Sequence, residues 1–424
     1  MTNKQRIGTS AHTLKALGCS LILLTAFPGF ALAKPLTSAA VKNWCFSNAK
    51  IEIDLRIGGC TAVLQSGNTT TKRMADAYLN RGAHYLQQNS IDLGIADFSE
   101  LIRLQPKRFE AFTNRGEAYR RKGDLDRAIS DFDRAIALNP KDSVAWFNRG
   151  ITYSDKGDPD HAIADYDRAI KLNPRDAWYY NNRGNSHIDK RDYDRAMADY
   201  NKAIKLNPKF ALAYFNRGTA YRNHGDDALA LADLNMSIQF DPNYAAAYGN
   251  RARLFRDKGD IDRALADFDQ SLRLDPAGSR DAYARGNIHF DRHDYSRALP
   301  DFDRAIKHDP KYAAALNARC LTRAIVGSPR EGLADCDESL KHRPDNAYTL
   351  DSRAFCYLKL GEFAAAIEGY DAALKVNPGL AASLYGRGLA KQKQGDASGG
   401  ETDIAAAKAI DAGIVDEFRH FGIE

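Results

Sequence analysis

The sequence is poor in the residues that usually carry chemistry. Its 424 residues include six cysteines, four methionines and three tryptophans. No Gly-x-Ser-x-Gly elbow, phosphate-binding loop or zinc-protease motif occurs. These absences argue against an enzyme, and no cofactor is expected. His289 and His293 have the spacing of a metal-ligand pair on a helix, but no cluster of further ligands accompanies them, so no metal site is expected. An excess of one charge is also missing. Lys4, Arg6 and Lys15 are three of the 60 basic residues, so the rest of the chain carries 57 bases against 55 acids. That near balance gives no footprint for nucleic acid. Long apolar runs are confined to the stretch from Ala16 to Phe27.

That stretch has the layout of an export signal. Basic residues end at Lys15, Pro28 and Gly29 break the apolar run, and Ala31-Leu32-Ala33 supplies small residues for cleavage after Ala33. The run is short for a membrane span. Most of the run follows Cys19, where a lipoprotein cysteine would stand after it. The expected mature chain is therefore periplasmic or secreted, with no membrane insertion after cleavage of residues 1–33.

What the sequence does have is a period. Prolines at 106, 140, 174, 208, 242, 276, 310, 344 and 378 are each 34 residues apart. Counting from Ala75, ten 34-residue units fill 75–414. Position 4 is mostly aromatic (Tyr78, Phe112, Trp146), position 8 small (Gly82, Gly116, Gly150), position 20 Ala or Gly, and position 24 usually aromatic (Phe98, Phe132, Tyr166). At about 3.6 residues per turn, positions 4, 8 and 11 share one helix face and 20, 24 and 27 another. Between the two helices, position 15 is mostly Gly, a residue that tolerates positive φ, and position 16 is Asp or Ser in nine units, an N-cap. The position-32 proline ends the second helix. Pro300 falls inside a second helix and is expected to kink it.

This pattern resembles the tetratricopeptide repeat family, over about four-fifths of the chain. The variant Phe147-Asn148-Arg149-Gly150, with the chain ends, is similar to exported repeat proteins of alphaproteobacteria. The resemblance implies an all-α, right-handed α-solenoid superhelix of helix-turn-helix repeats that binds protein or peptide in its concave groove.

Arginine stands at position 7 in all ten units and aspartate at position 23 in nine, Gly369 being the exception. Both lie on the same flank of the hairpin at matching distance from the turn, so they are read as structural ion pairs. Positions 2, 6, 9 and 13 point away from the core, and in the family that surface lines the groove. Position 6 is Asn80, Asn114, Asn148, Asn182, Asn216 and Asn250 in succession, then Ala284, Ala318, Ser352 and Gly386. A row of amides that both donate and accept suits the backbone of an extended peptide. It is similar to the asparagine ladder of the O-linked N-acetylglucosamine transferase repeat domain. Phe147, Trp178 and Phe215 at positions 5 and 2 are expected to add exposed aromatic surface. Position 5 lacks the lysine of the carboxylate-clamp type of this family.

Five cysteines follow the signal. Cys320 and Cys336 replace the small position-8 and aromatic position-24 residues of one unit together, which a disulfide explains. Residues 56–64 resemble a degenerate second helix with Cys60 at position 24 and Cys45 on a partial first helix, so 34–74 is read as an N-terminal cap clipped by Cys45–Cys60. The alternative is that all five are small buried apolar residues, which is how Cys356 is read. Ile414, with Val415 and Phe418 of the tail spanning 415–424, is expected to cover the last repeat. The function expected from all this is a non-enzymatic protein- or peptide-binding scaffold of the bacterial envelope. The alternatives are an accessory subunit of an envelope enzyme or export machine, and a carbohydrate- or lipid-binding solenoid.

Overall fold

The computed structural model describes residues 38–47 and 51–423; the expected export segment, 1–33, lies outside them. The described residues form 23 α-helices and no strand. By contacts the chain divides into two compact units, residues 1–216 and 217–424.

The first unit opens with two cap helices, α1 (Ser38–Trp44) and α2 (Ile53–Gln65). The Cys45–Cys60 disulfide joins them, with Cα atoms 4.5 Å apart. Gly59 permits this approach, because a Cβ there would lie 2.6 Å from the Val41 carbonyl oxygen. Four hairpins follow: α3 (Thr71–Gln87) with α4 (Ile91–Leu104), α5 (Phe109–Lys122) with α6 (Leu125–Leu138), α7 (Ser143–Lys156) with α8 (Pro159–Leu172), and α9 (Ala177–Asp189) with α10 (Tyr193–Leu206). Helix α11 (Ala211–His224) crosses into the second unit, where its partner is α12 (Asp227–Phe240). That unit continues with α13 (Ala245–Asp257) and α14 (Ile261–Leu274), α15 (Ser279–Asp291) and α16 (Tyr295–His308), and α17 (Ala313–Ile325) and α18 (Pro329–His342). It ends with α19 (Ala347–Leu360) and α20 (Phe363–Val376), α21 (Ala381–Gln394) and α22 (Ala397–Ile410), and the short α23 (Ile414–His420).

The seam of each hairpin explains the small and aromatic positions. A Cβ on Gly82 would lie 2.7 Å from the Phe98 ring, and one on Gly150 2.7 Å from the Tyr166 ring. The rings fill the space that the glycines leave. Phe98, Phe132, Tyr166, Phe268, Phe302 and Tyr370 are all buried, each contributing about 2–3 kcal/mol relative to an exposed ring. The position-20 alanines Ala128, Ala162, Ala196 and Ala264 are equally closed off.

Turn chemistry follows the sequence with one extension. Position 15 takes positive φ at Gly123 (86°) and Asn89 (59°), but also at Arg191 (61°) and His293 (58°). At these two stops the Asp192 and Asp294 N–H groups return to the His187 and His289 carbonyls at 2.8 Å, the same helix-end closure made with a residue that has a Cβ. Six of the nine expected caps form, Asp124, Asp158, Asp192, Asp260, Asp294 and Asp396 accepting from the backbone N–H three residues on, whereas Ser90, Asp226 and Ser328 make no side-chain cap bond. Helix α16 runs as one element through Pro300, which is exposed, so the carbonyl that loses its partner can meet water.

The second disulfide, Cys320–Cys336, joins α17 to α18 with Cα atoms 5.5 Å apart, and Cys356 is a buried free thiol. Helix α23 buries Ile414 and Phe418 against the last hairpins.

Candidate peptide-binding face

The arginine–aspartate sets are internal braces. Arg81 Nε and Nη2 donate to the two carboxylate oxygens of Asp97 at 2.8 and 2.7 Å, and Arg115 grips Asp131 at 2.8 and 2.9 Å. The same fork forms at Arg149–Asp165, Arg183–Asp199, Arg217–Asp233, Arg251–Asp267, Arg285–Asp301, Arg319–Asp335 and Arg387–Asp403. The aspartates are buried, and hydrogen bonding to Asp97 and Asp131 raises the pKa of Arg81 and Arg115. This fork geometry is what guanidinium provides and ammonium does not.

A third contact escaped the sequence reading. The remaining guanidinium nitrogen reaches back to position 25 of the preceding hairpin. Arg149 Nη1 donates to Asp133 at 2.5 Å, Arg319 to Asp303 and Arg387 to Asp371 at 2.7 Å, and Arg115 to Ser99 Oγ at 3.1 Å. Arg81 makes the same reach into the cap, donating to Thr61 Oγ1 at 3.0 Å. Where both contacts form, the arginine thus braces its own hairpin and staples it to the one before. The signal was present, since position 25 is Asp, Asn or Ser from Ser99 to Asp371, but it reads as ordinary surface polarity until two repeats are placed side by side. Arg353, opposite Gly369, keeps only the backward partner, Asp337, at 2.8 Å.

The asparagine row occupies the first-helix face, half-buried throughout. Its members are not equivalent. Asn114, Asn182 and Asn250 donate to the carbonyl four residues back on their own helices, at 2.9, 2.9 and 3.0 Å, leaving Oδ1 and one N–H to face outward. Asn148 lies on the same face of α7. Asn216 donates to Asn181 Oδ1 of the previous hairpin at 3.0 Å. Asn80 donates to the Cys45 carbonyl at 2.9 Å and so ties the cap to the first repeat.

The aromatic expectations need correction. Trp178 is exposed (50 %), its ring edge-on to Phe210. Phe147 is half-buried between Tyr166 and Tyr179, with centroids 5.7 and 4.6 Å away. Phe215 is buried (4 %) and offers no surface. The position-2 residue Val144, not singled out in the sequence, is 47 % exposed and joins Trp178 as the apolar part of the face.

In the second unit the corresponding face differs. A cavity of about 200 Å³ is lined by Tyr283, Asn317, Arg343 and Tyr348, among others, and Asn317 Oδ1 is buried there without a hydrogen-bond partner. His293 stacks on His420 at 4.4 Å, and burial lowers the pKa of His289. Among the described residues no three His, Cys, Asp or Glu side chains are grouped to hold a metal, and no helix is long and apolar enough to cross a membrane.

Stacked helical hairpins braced internally, with a separate polar face on their first helices, define an α-solenoid of the interaction-scaffold class. Tetratricopeptide repeat models match residues 79–143, 143–176, 165–198, 245–277 and 280–312, and a TPR repeat model matches 184–225. The chain belongs to the tetratricopeptide repeat family. Among solved structures it is similar to a tetratricopeptide repeat protein from Parabacteroides merdae, with 22 % identity over 58 % of this chain and 98 % of that one and a TM-score of 0.48. It also matches the APC/C hetero-tetramer Cut9–Hcn1, with 13 % identity over 91 % and 87 % and a TM-score of 0.45. A third match is YrrB, a TPR protein with an unusual peptide-binding site, with 26 % identity over 44 % and 97 % and a TM-score of 0.35. No curated protein matches the chain.

Proposed function

We propose that this protein is a non-enzymatic scaffold that holds an extended segment of a partner polypeptide along the first-helix face of its N-terminal repeats. The observation that carries the reading is the arrangement on that face. Asn114 and Asn182 keep an amide oxygen and an N–H free beside the exposed apolar stripe of Val144 and Trp178. Main-chain N–H and C=O groups of an extended peptide pair with such amides whatever its sequence, and apolar side chains lie on the stripe. Asn80 and Asn216, engaged with the cap and with Asn181, shape the ends of this face. We place the mature chain in an oxidising compartment outside the cytoplasm, the periplasm or beyond. That placement is supported by the signal-like residues 1–33 and by two disulfides of the kind that persist there.

The test is site-specific photo-crosslinking in the exported protein. A photoreactive residue at Trp178 is expected to capture a discrete set of polypeptides. The same group at Lys171, exposed on the second helix of the preceding hairpin, is expected to capture none. Replacing Asn114, Asn148 and Asn182 by Ala is expected to weaken capture at Trp178 while leaving helicity unchanged. Equal labelling at both positions, or adducts of glycan or lipid alone, removes the reading.

A further inference from the structure

The first-helix face changes character along the chain. Position 13 is Arg121, Asp155, Asp189, Asn223 and Asp257 in repeats 2 to 6, but Ile325 in repeat 8. Position 9 is Glu117, Asn185 and Arg253 in repeats 2, 4 and 6, but Leu321 and Phe355 in repeats 8 and 9. Position 13 stays charged in repeats 7, 9 and 10 (Asp291, Lys359, Lys393) and position 9 is Ile151 in repeat 3, so the change is confined to the apolar stretch Leu321, Ile325, Phe355 and Leu389, and that stretch is covered. The cover is the chain's own C-terminal segment.

Helix α23 presents Ile414, Phe418 and Phe421 at i, i+4 and i+7, and all three are buried. The Phe418 ring meets Tyr385 edge-on at 4.8 Å and Phe355 at 5.8 Å; Phe421 lies 5.8 Å from Phe355 and 6.4 Å from Phe290. Those contacts reach repeats 10, 9 and 7, so the segment lies along the face and does more than close the last hairpin. Leu321, Ile325 and Ile423 pack into the same cluster. The helix carries its own stop: Gly422 takes φ +71°, and the Ile423 N–H returns to the Phe418 carbonyl at 3.0 Å. Its other side, Asp416, Glu417 and Arg419, is exposed.

Polar attachment is slight. Lys359 Nζ donates to the Phe421 and Gly422 carbonyls at 3.1 and 3.4 Å, and these are main-chain acceptors that any helix end offers. Among the described residues no ion pair joins α23 to the face. The segment is therefore held by the buried Ile414, Phe418 and Phe421, the partly buried Val415 and Ile423, the His420–His293 stack and a C-terminal carbonyl pair, at the end of a linker running from Asp411 to Gly413.

We propose that the first-helix face of repeats 7–10 is a groove for a short amphipathic helix, that residues 414–423 are its resident occupant, and that a partner helix with apolar residues at i, i+4 and i+7 binds there by displacing them. The site is separate from the peptide face of the N-terminal repeats. It recognises a helix by ring packing and capture of its last carbonyls, where the asparagine face takes extended main chain. Tethering gives the resident segment an effective concentration on the order of millimolar, which a free partner must overcome.

Two experiments on the full chain test this. In the first, a protease site is built into the 411–413 linker and cut, so that the segment stays only by its contacts. It is expected to co-elute with the protein and to be released by excess synthetic 411–424 peptide, but not by the same peptide carrying Phe418→Ala and Phe421→Ala. In the second, full-length protein carrying Phe418→Ala and Phe421→Ala is titrated with labelled wild-type 411–424 peptide. Binding is expected to be at least about tenfold tighter than to the unsubstituted protein, whose groove is filled. Loss of the cut segment without competitor, or equal competition by the two peptides, overturns the proposal. The first experiment stands alone if the substituted chain fails to fold. Neither outcome touches crosslinking at Trp178, so the two readings fail independently.

Discussion

Arg149 is the sharpest place to test what holds the repeats together. Its Nε and Nη2 grip Asp165 at 2.8 and 2.7 Å, and its Nη1 reaches Asp133 at 2.5 Å in the preceding hairpin. Asp165 is 4 % exposed, so Arg149→Met strands a buried carboxylate while keeping the methylene stem. Breaking a buried pair from one side costs about 3–5 kcal/mol, whereas the pair itself contributes far less. The Asp133 contact is half-exposed and adds about 0–1 kcal/mol. The loss expected for Arg149→Met is thus about 3–5 kcal/mol, felt in repeats 2 and 3. Adding Asp165→Leu removes the stranded charge and should recover most of it. Repeat 9 already lives without the aspartate, with Gly369 opposite Arg353. Because a repeat array need not unfold in one step, urea unfolding should be paired with hydrogen exchange resolved along the chain. A single-variant loss below about 1 kcal/mol, or a double variant as unstable as the single, would show that the braces are not buried charge pairs in the energetic sense.

Other outcomes follow from particular groups. Denatured mature protein should titrate one thiol, Cys356. The native protein should resist alkylation, because burial pushes that thiol up to about 12; two or more reactive thiols in the native state would contradict this. Replacing Cys45 and Cys60 with Ser opens a loop of 15 residues and should cost about 3 kcal/mol locally. It should appear as faster exchange in α1 to α3, and unchanged exchange there would refute a structural role for the cap bridge. Burial pushes the Asp351 carboxyl up to about 7, even though its Oδ1 accepts from Ser383 Oγ at 2.5 Å. The folded chain therefore holds that proton more tightly than the unfolded chain, whose carboxyl titrates near 4. The stabilisation is complete below about pH 4 and is lost as the pH rises through about 7. Asp351→Asn should flatten the fall in melting temperature over that window, and an unaltered pH profile would exclude Asp351 as its source.

Most of the fold was legible because a repeat averages out noise. One Gly at position 8 means little, but Gly82, Gly116 and Gly150 set against Phe98, Phe132 and Tyr166 announce a seam, and the structure places each ring over its glycine. The Cys320–Cys336 disulfide was legible for the opposite reason. Cys320 and Cys336 break the pattern together at positions that face each other, and a correlated break needs one cause. Where local chemistry was the only guide it was less complete. Position 15 reads as a glycine stop, yet Arg191 and His293 adopt the same left-handed turn, closed by the Asp192 and Asp294 N–H groups returning to the His187 and His289 carbonyls.

The first-helix face was legible as a face but not in its use of space. Helical spacing separates inward from outward residues within one helix, but it is blind to the next helix in the stack. That is why Phe147, placed outward by spacing, is half-covered by Tyr179 of the next hairpin, while Val144 and Trp178 stay open. It is also why Asn80 and Asn216, identical in the sequence to Asn182, are drawn into contacts with Cys45 and Asn181. The abrupt end of the asparagine row after Asn250 has a physical sense that the sequence shows only as loss. Beyond it, the small residues Ala284, Ala318, Ser352 and Gly386 at position 6 carry no long polar side chain that would hold an occupant away, and Leu321, Ile325 and Phe355 supply apolar contact. A helix with buried aromatic rings needs that close approach, whereas an extended chain needs amides standing above the surface. On the two proposals together, one 34-residue frame would carry two binding chemistries, set by what stands at positions 6, 9 and 13 of each first helix.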